Sequence, residues 1–505
     1  MGMCRPLGGW SPVRRLGMLY RPPLLGGRSG PGSIRLRPSR PSAGGSMSIR
    51  PAFTLLVILA VVLAACGDGG EESDETTATT EAPTTAAPTT EAATTSAAAS
   101  DNSATEGTAG GGSDVSFDLT LGTVLPLTGD LAAFGPSLTE AAGIAVEEIN
   151  TALEEQGVSG VTVTLAATED GQTAQGPGVE AATKLVQSDG VNVIIGAMAS
   201  NVTIAIAESV AIPNGVVLIS PTSTAPGITD LEDDNLVYRI LSSDVLQGEA
   251  LGDAVFNEFG EGATVNVGAR NDAFGTALQE LFEARFTELG GEVGESLTWN
   301  PDAPTFDTEA QQLVSGEPDG WVIIDFPETF ARFGPSLVRA GGWDPTLTFM
   351  TEAMRNQDSL NEIGADALAG LRGTAPTSEG APARAPFDEL FTERAPDADL
   401  TGFEGSSFDA TIVAFLAALE AGSSEGSDIA DHLQSVTGPP GEQYTFENLG
   451  DAVAAILNGE EIDYEGAWGP IDLDENGDPG SAIYEVWEFD GSEITTLETF
   501  TFGQD

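Results

Sequence analysis

Two successive runs of alternating strand and helix patterns constrain this chain more than any other feature of its sequence. In the first run, strands are predicted at 119–125, 161–165, 191–195 and 216–219, with helices at 138–149, 180–187 and 201–211. In the second run, strands are predicted at 265–267, 292–297, 320–325 and 346–350, with helices at 276–289, 308–313 and 328–339. Alternation of this kind produces parallel sheets covered by helices on both faces. The sequence therefore predicts an α/β protein with two doubly wound lobes.

The N-terminus has the pattern of a targeting signal. Residues 52–65 form an uncharged run of fourteen, which is short of the roughly 20 residues that a membrane-spanning helix needs. Arg50 precedes the run and small residues follow it, as in a secretory signal. Residues 63–67, LAACG, resemble a bacterial lipobox, and this resemblance implies that Cys66 is acylated and becomes the mature N-terminus. A plain signal peptide cleaved before a cysteine is the alternative.

The segments on either side of this signal differ from a folded domain. Residues 1–46 are rich in Arg, Gly and Pro without periodicity, so we expect a non-native extension with Met47 as the initiator and 47–65 as the signal peptide. Residues 71–114 contain no Val, Ile, Leu, Met, aromatic or basic residue. Such a segment has no side chains from which to build a core. We therefore expect a disordered tether over 66–114, either a plain spacer or a carrier of glycans.

Composition excludes several classes of function. Residues 68–505 carry all 78 acidic residues and only ten of the 19 basic ones, so the surface repels nucleic acid. The acidity fits either a saline exterior or an ordinary acidic bias. Cys4, Cys66 and His432 are the only cysteines and histidine, which excludes a disulfide scaffold and a cysteine-rich zinc site. Ser200 lacks a nucleophile-elbow setting and His432 lies far from the loops described next, so neither an enzyme nor a metal or other cofactor is predicted.

Ligands of open α/β sheets bind at the carboxyl ends of the strands, which directs attention to the loops there. Ser200 follows one predicted strand and precedes a helix, where free backbone N–H groups suit a carboxylate. The loop 220–227 is dense in hydroxyl groups and contains two prolines. Ser200 acting only as the cap of its own helix, and 220–227 as a surface loop, are the alternatives.

Several motifs, in order along the chain, resemble the type 1 periplasmic solute-binding proteins of the branched-chain amino acid group. They are LPLTG at 125–129, FG at 134–135, EIN at 148–150, the Thr/Ser-rich loop at 220–226, NDAFG at 271–275, FDA at 408–410, and GP with DENGD at 469–478. The resemblance covers about 117–495. It implies two lobes joined by a hinge with a central ligand cleft, lobe 1 formed by 115–241 and 372–465 and lobe 2 by 242–371 and 466–505.

The same resemblance implies how a zwitterionic ligand is held. The α-carboxylate is bound by Ser200, by Thr224 and by backbone around Thr222, and the α-ammonium is bound by Glu352. The first three lie in lobe 1 and Glu352 lies in lobe 2, so hinge closure brings both ends into contact.

Aromatic walls are implied at Phe134, Phe274 and Phe326. Family members often carry Tyr at the first two positions, so the loss of hydroxyl groups here points to a more apolar ligand. Asp325 and Asp409 are further candidates for the ammonium group. Arg270 is expected to be the only base near the site, which disfavours a phosphate ester.

These observations predict a lipid-anchored extracytoplasmic receptor that passes a branched-chain or other apolar amino acid to the permease of an ABC importer. The protein is expected to be a monomer held to the outer face of the cell membrane through Cys66. A sensory ligand-binding subunit is one alternative. Recognition of an amide, urea or an aromatic acid is another, and a hydrolase is disfavoured by the missing nucleophile and base.

Overall fold

The computed structural model describes residues 115–502. The predicted extension at 1–46, the signal peptide, Cys66 and the tether lie outside the described residues. Among the residues described, no helix has the length and hydropathy needed to cross a membrane.

The first sheet has five strands, all parallel. In chain order they are β1 (Phe117–Leu125), β2 (Val161–Asp170), β3 (Val193–Gly196), β4 (Val217–Ser220) and β5 (Val237–Arg239). The order across the sheet is β2-β1-β3-β4-β5. The helices between them are α1 (Gly135–Glu155), α2 (Gln175–Lys184), α3 (Ser200–Ile206) and α4 (Ile212–Asn214), with π-helical turns at Leu185–Asp189 and Ala207–Ala211.

The second sheet has seven strands, of which the first five run parallel. They are β6 (Thr264–Arg270), β7 (Glu292–Trp299), β8 (Gly320–Ile324), β9 (Thr348–Met350) and β10 (Leu371–Pro376), followed late in the chain by β13 (Ala482–Phe489) and β14 (Ile494–Phe502). β13 pairs antiparallel with β10, and β14 pairs antiparallel with β13. The order is β14-β13-β10-β9-β8-β6-β7, and a separate parallel pair is formed by β11 (Glu442–Tyr444) and β12 (Ile462–Tyr464).

The remaining helices divide between the two sheets. They are α5 (Asp244–Phe259), α6 (Ala273–Leu289), α7 (Asp307–Leu313), α8 (Pro327–Ala340), α9 (Gln357–Leu368), α10 (Arg384–Arg394), α11 (Glu404–Ala421), α12 (Gly426–Val436) and α13 (Leu449–Leu457). Helices α10 to α13 share a hydrophobic core with the first sheet, and α5 packs against α6 beside the second sheet.

Both faces of the first sheet are covered, as the hydrophobic runs predict. Along β3, Val193 and Ile195 enter the core that contains α11, whereas Ile194 enters the core that contains α3. α11 packs into this first core and is buried over almost its whole length, so it has no face exposed to solvent. The structure therefore confirms the predicted mixed α/β class with parallel sheets between helices.

The chain crosses between the two sheets three times. The first crossing is 240–243, the second is 377–383 and the third is 465–481. The predicted first-lobe segment 372–465 includes most of β10, which is wrong because β10 pairs with β9 and β13 in the second sheet. The sheets place this boundary at the second crossing instead.

Candidate functional site

A small cavity, called the cleft cavity below, lies between the carboxyl ends of the strands of the two sheets. It is lined by Leu131, Met198, Ser200, Thr222, Thr224, Leu241, Phe274, Phe326, Glu352, Ala353 and Phe403. Six of the seven predicted ligand-binding residues line it, and Phe134 does not. It offers about 20 Å³ for the centres of water molecules, enough for one or two waters. An amino acid therefore requires the two lobes to move apart.

Ser200 connects two loops of the first lobe. It is the first residue of α3, and the cap position is occupied by Ala199, so Ser200 does not act as the predicted N-cap. Its Oγ instead accepts hydrogen bonds from the backbone N–H groups of Thr224 at 3.3 Å and Ala225 at 3.2 Å. The hydroxyl group thereby holds the loop after β4 against the start of α3.

The loop after β4 is fixed by its own hydroxyl groups and is not a loose surface loop. Ser220 Oγ donates to Ala197 O at 2.6 Å, and Thr222 Oγ1 donates to Met198 O at 3.2 Å. Ser223 Oγ contacts Thr203 Oγ1 at 2.7 Å. Thr222 and Thr224 are both buried. The dense hydroxyl pattern in the sequence therefore serves mainly to anchor the loop that presents these two residues to the cavity.

Glu352 provides the acidic end of the cavity. It follows β9 in a short 3₁₀ turn (Glu352–Met354) and is 8% exposed. Burial raises the pKa of this carboxyl group to about 7, while a hydrogen bond from Gln247 opposes the shift. Gln247 Nε2 donates this bond to Glu352 Oε2. Gln247 lies on α5, so the helix that follows the first crossing supports the acid that follows β9.

Asp244 is a second buried carboxyl group beside the site, and it was not among the residues predicted from the sequence. It opens α5, is fully buried, and its N–H donates to Thr224 O at 2.8 Å. Burial, and then the charge of Glu352, raise the pKa of Asp244 well above its usual value; the Thr224 hydroxyl and the Arg239 guanidinium oppose this. An acid at the start of a helix, separated from the end of β5 by the four residues 240–243, is the signal that the sequence offered.

A second base, Arg239, lies close to the site, so the expectation that Arg270 is the only base there is wrong. Its side chain is fully buried, and Nη1 donates to Ala225 O at 3.1 Å. Nε and Nη2 donate to the two carboxylate oxygens of Asp478, each at 2.6 Å. Because both ends of the guanidinium are occupied, Arg239 supports the Thr224 loop and is not placed to bind an anion.

Aromatic rings form one wall of the cavity. Phe274 stacks on Phe326 with a centroid distance of 5.4 Å, and the guanidinium carbon of Arg270 lies 3.5 Å from the Phe326 centroid. Phe403, which the sequence analysis did not identify, lines the cavity as well. Phe134 is fully buried and packs edge-on against Phe403 at 5.7 Å, so it supports the wall from behind.

Neither of the two additional acids considered for the ammonium group lines the cavity. Asp325 is fully buried 3.6 Å from Arg270 Nη1, and burial raises its pKa to about 8. Asp409, on α11, accepts hydrogen bonds from the hydroxyl of Tyr464 and from the N–H groups of Ala467 and Trp468. Asp409 therefore stabilises the start of the third crossing.

One set of ion pairs joins the lobes across the cleft. Asp130 lies in the loop after β1, and its carboxylate is 3.2 Å from Arg270 Nη2 and 3.7 Å from Arg332 Nη2. Both arginines belong to the second lobe. Opening the cleft separates these charges, so the pairs favour the closed arrangement. Among residues 115–502, no group of three or more His, Cys, Asp or Glu side chains is placed to hold a metal ion.

Comparison with known proteins identifies the relatives of this chain. A family model described as "Periplasmic binding protein" matches residues 118–482. The Leu/Ile/Val-binding protein BraC3 of Rhizobium johnstonii is 34% identical over 174 residues, which cover 34% of this chain and 45% of that protein. The match to Leu/Ile/Val-binding protein homolog 3 of Brucella melitensis covers 48% of that protein, so the chain aligns with about half the length of these two relatives. The chemotactic signal transduction system substrate-binding protein BasB of Halobacterium salinarum is 25% identical over 393 residues, 76% of this chain and 90% of that protein.

Solved structures share the fold. The leucine binding protein LivK of Thermotoga maritima has a TM-score of 0.62 at 24% identity and covers 76% of this chain and 98% of its own. The branched-chain amino acid transporter substrate binding protein LivJ of Streptococcus pneumoniae, in complex with isoleucine, has a TM-score of 0.61 at 17% identity, covering 76% and 100%. A solute binding protein of Rhodopseudomonas palustris in complex with benzoate has a TM-score of 0.57 at 19% identity, covering 76% and 96%.

Proposed function

The chain belongs to the periplasmic binding protein family, whose members bind ligands and are not enzymes, and on that premise we propose that it captures an amino acid with an apolar side chain in the cleft cavity. Leucine, isoleucine and valine are the expected ligands, delivered to an ABC importer. The observation that carries this proposal is the placement of Glu352 and of Ser200, Thr222 and Thr224 around one cavity. A zwitterion needs both an acid for its ammonium group and hydrogen-bond donors for its carboxylate, at separate points.

The two ends of the ligand are assigned to different lobes. Ser200 and Thr224 offer hydroxyl groups from the first lobe, and Glu352 offers a carboxylate from the second. Asp244 adjoins both ends, because its N–H donates to Thr224 O and its carboxyl group lies close enough to Glu352 for the two to interact electrostatically. A ligand that contacts both lobes stabilises the closed arrangement because each end is satisfied only when the cleft shuts.

The remainder of the cavity suits an aliphatic side chain. Seven of the eleven lining residues are apolar, namely Leu131, Met198, Leu241, Phe274, Phe326, Ala353 and Phe403. Burying one Leu or Ile side chain against such a surface is worth about 1.5–3 kcal/mol. A polar ligand side chain lacks a hydrogen-bond partner on this wall, since the lining phenyl rings carry no hydroxyl groups.

An aromatic acid such as benzoate is a weaker candidate, although one structural neighbour was solved with benzoate. That neighbour is 19% identical, so it supports the fold and not the ligand. An acid without an amino group would give Glu352 no counter-charge, so the buried carboxyl group, whose pKa is raised to about 7, would favour its protonated form and recognise nothing on the ligand. Neutral amides and urea leave the same carboxylate without a counter-charge.

Lipid anchoring at Cys66 and a location at the outer face of the cell membrane complete the proposal. The LAACG motif at 63–67 supports acylation, and the segment 66–114 is long enough to act as a spacer between membrane and receptor. We further propose that the folded part acts as a monomer that docks on the importer permease when its cleft is closed.

A sensory role is the second candidate, and the relationship to BasB favours it. BasB is named as part of a chemotactic signal transduction system, and it aligns over 90% of its length. Both roles use the same cleft. They differ in the consequence of deleting the protein: loss of uptake of the radiolabelled amino acid supports the importer role, and loss of movement toward that amino acid with normal uptake supports the sensory role.

The ligand itself is tested by calorimetric titration and thermal unfolding of the purified protein with leucine, isoleucine, valine, benzoate, urea and acetamide. At one hundred times its dissociation constant, a ligand adds about 2.7 kcal/mol to the free energy of unfolding. We expect one or more of the three amino acids to stabilise the protein and the other compounds to leave its stability unchanged. Stabilisation by benzoate or an amide alone would refute the amino acid assignment.

A further inference from the structure

A second cavity lies where the three crossings meet, and we call it the hinge cavity. Ile240 and Ser242 from the first crossing, Ala381 from the second, and Trp468 and Ser481 from the third all line it. Its volume is about 290 Å³, against about 20 Å³ for the cleft cavity. The hinge cavity does not share a lining residue with the cleft cavity, but the two are neighbours, because Trp468 of the hinge cavity stacks on Phe403 of the cleft cavity with a centroid distance of 5.7 Å.

The lining of the hinge cavity is uncharged. None of its fifteen lining residues is Asp, Glu, Lys, Arg or His, although acidic residues make up 78 of the 505 in the chain. Proline, isoleucine, alanine and the Trp468 indole supply its apolar surface, and serine and threonine supply hydroxyl groups. A charged molecule would lose water here without gaining a counter-charge, and that transfer is costly. The chemistry therefore selects a neutral molecule, mainly apolar, that makes a few hydrogen bonds.

The crossings that border this cavity are not equally restrained. The first and third are tied together by the paired hydrogen bonds of Arg239 to Asp478, each 2.6 Å, and by Ser242 Oγ donating to Ser481 O at 2.9 Å. The second crossing is joined at its start, where Thr377 N donates to Ile483 O at 2.8 Å. Ser378 Oγ also accepts a hydrogen bond from Arg384 Nη1 at 2.6 Å. The cavity thus lies between the linked first and third crossings and residues 379–382 of the second crossing.

We propose that the hinge cavity is a binding site for a neutral aromatic small molecule and that its occupancy restrains the hinge. The Trp468 indole stacks on Phe403 and lines the cavity with the rest of its ring surface, and the serine and threonine hydroxyl groups offer partners for one polar atom of the ligand. Opening and closing of two lobes is absorbed by backbone rotation in the segments that connect them. A molecule in contact with all three crossings meets different surroundings in the open and closed states, so it favours one of them. Because a cleft ligand favours the closed arrangement, binding at the two sites is coupled, but the hinge cavity does not require a particular ligand in the cleft.

Indole is a suitable probe because it is neutral, aromatic and carries one N–H group. Its binding to the purified protein is measured by saturation-transfer NMR, with indole-3-carboxylate as a charged analogue of similar shape. Ala381→Phe and, independently, Ser481→Leu fill the cavity from the second and third crossings. Ala367→Phe, on the exposed side of α9, is the matched control for the added ring, and Ala353→Leu fills the cleft cavity instead.

We expect indole to bind the wild type saturably. Ala381→Phe and Ser481→Leu should each weaken this binding at least tenfold, whereas Ala367→Phe and Ala353→Leu should leave it unchanged. Indole-3-carboxylate should bind the wild type at least tenfold more weakly than indole. If Ala353→Leu abolishes indole binding while Ala381→Phe and Ser481→Leu retain it, indole binds in the cleft and the proposal is wrong. The absence of saturable binding to the wild type would also overturn the proposal. Indole should also slow amide hydrogen exchange at 377–383, and an unchanged exchange rate would remove the proposed restraint on the hinge.

Discussion

The side-chain amide of Gln247 donates a hydrogen bond to Oε2 of Glu352, joining the helix that follows the first crossing to the acid that closes the cleft cavity. Gln247 is fully buried and Glu352 is 8% exposed. The bond favours the ionised carboxylate, whereas burial favours the neutral acid and raises the pKa to about 7. Gln247 therefore helps to decide how much of Glu352 is charged at neutral pH.

Replacing Gln247 by methionine tests this relationship. The variant keeps the side-chain length but removes the donor, so the pKa of Glu352 should rise further and leucine should bind about tenfold more weakly at pH 6.5 for each unit of that rise. Much of the loss should be recovered at pH 8.5, where the carboxyl group ionises again. Gln279→Met is the matched control, because Gln279 donates to Glu283 and Ser296 on the far side of the second lobe. Equal losses at the two pH values in calorimetric titrations would contradict the assignment.

The ion pairs between Asp130 and the second lobe should contribute to affinity whatever the ligand is. Asp130→Asn removes the charge that faces Arg270 and Arg332 across the cleft. Closure should weaken by about 0.5–1.5 kcal/mol, which is roughly two- to tenfold in affinity, mainly through faster dissociation. Stopped-flow measurements at low and high salt check this, since salt should reduce the difference between wild type and variant. An effect confined to association, or one that differs strongly between ligands, would argue against a closing contact.

Asp325 should make the protein less stable as the pH rises. Burial raises the pKa of its carboxyl group from the usual 3.8 to about 8, so the folded state holds a proton that the unfolded state releases over this interval. The stabilising contribution is complete below about pH 4 and is lost as the pH rises to about 8, at no more than roughly 1.4 kcal/mol per pH unit. Asp325→Asn should flatten the dependence of the free energy of unfolding on pH between 4 and 8. Asp366→Asn, at an exposed position of α9, should leave the slope as it is in urea titrations.

Cys66 should carry the lipid anchor. Cys66→Ser removes the thiol that is acylated, so the protein should move from the membrane fraction to the soluble fraction when the cells are fractionated. Loss of the acyl chains removes about 0.8 kcal/mol of membrane affinity per buried CH₂ group, which is enough to abolish stable attachment. Partition of the serine variant into membranes at the wild-type level would show that the lipobox interpretation is wrong.

The sequence was most informative where local pattern and family resemblance coincide. Ser200, Thr222, Thr224 and Glu352 each follow a predicted strand, and parallel strands bring their carboxyl ends to one edge of a sheet. Position along the chain pointed to the loops, the family resemblance selected these four residues, and the structure brings them to one cavity. The role of Ser200 was not predictable, because its hydroxyl group bonds to the loop around Thr224 and not to its own helix.

Residues that depend on packing between distant segments were missed. Asp244 and Gln247 approach Glu352 only because the first crossing returns the chain to the second sheet, and no spacing rule relates residues about 100 positions apart. Phe134 was assigned to the cavity wall, but Phe403 from a much later helix start covers it and takes that place. The boundary at 372 failed for a similar reason, since β13 at the end of the chain draws β10 into the second sheet.

The central claim is that Glu352 binds an ammonium group while Ser200 and Thr224 hold a carboxylate. Removing one partner of a buried charge pair costs about 2–5 kcal/mol, or roughly thirtyfold or more in affinity. The most direct test is calorimetric titration of Glu352→Gln and Ser200→Ala with leucine and with its des-amino analogue, 4-methylpentanoate. Glu352→Gln should weaken leucine strongly and 4-methylpentanoate hardly at all, whereas Ser200→Ala should weaken both. Equal weakening of the two ligands by Glu352→Gln would show that this acid supports the fold without recognising the amino group, and the amino acid assignment would then be wrong.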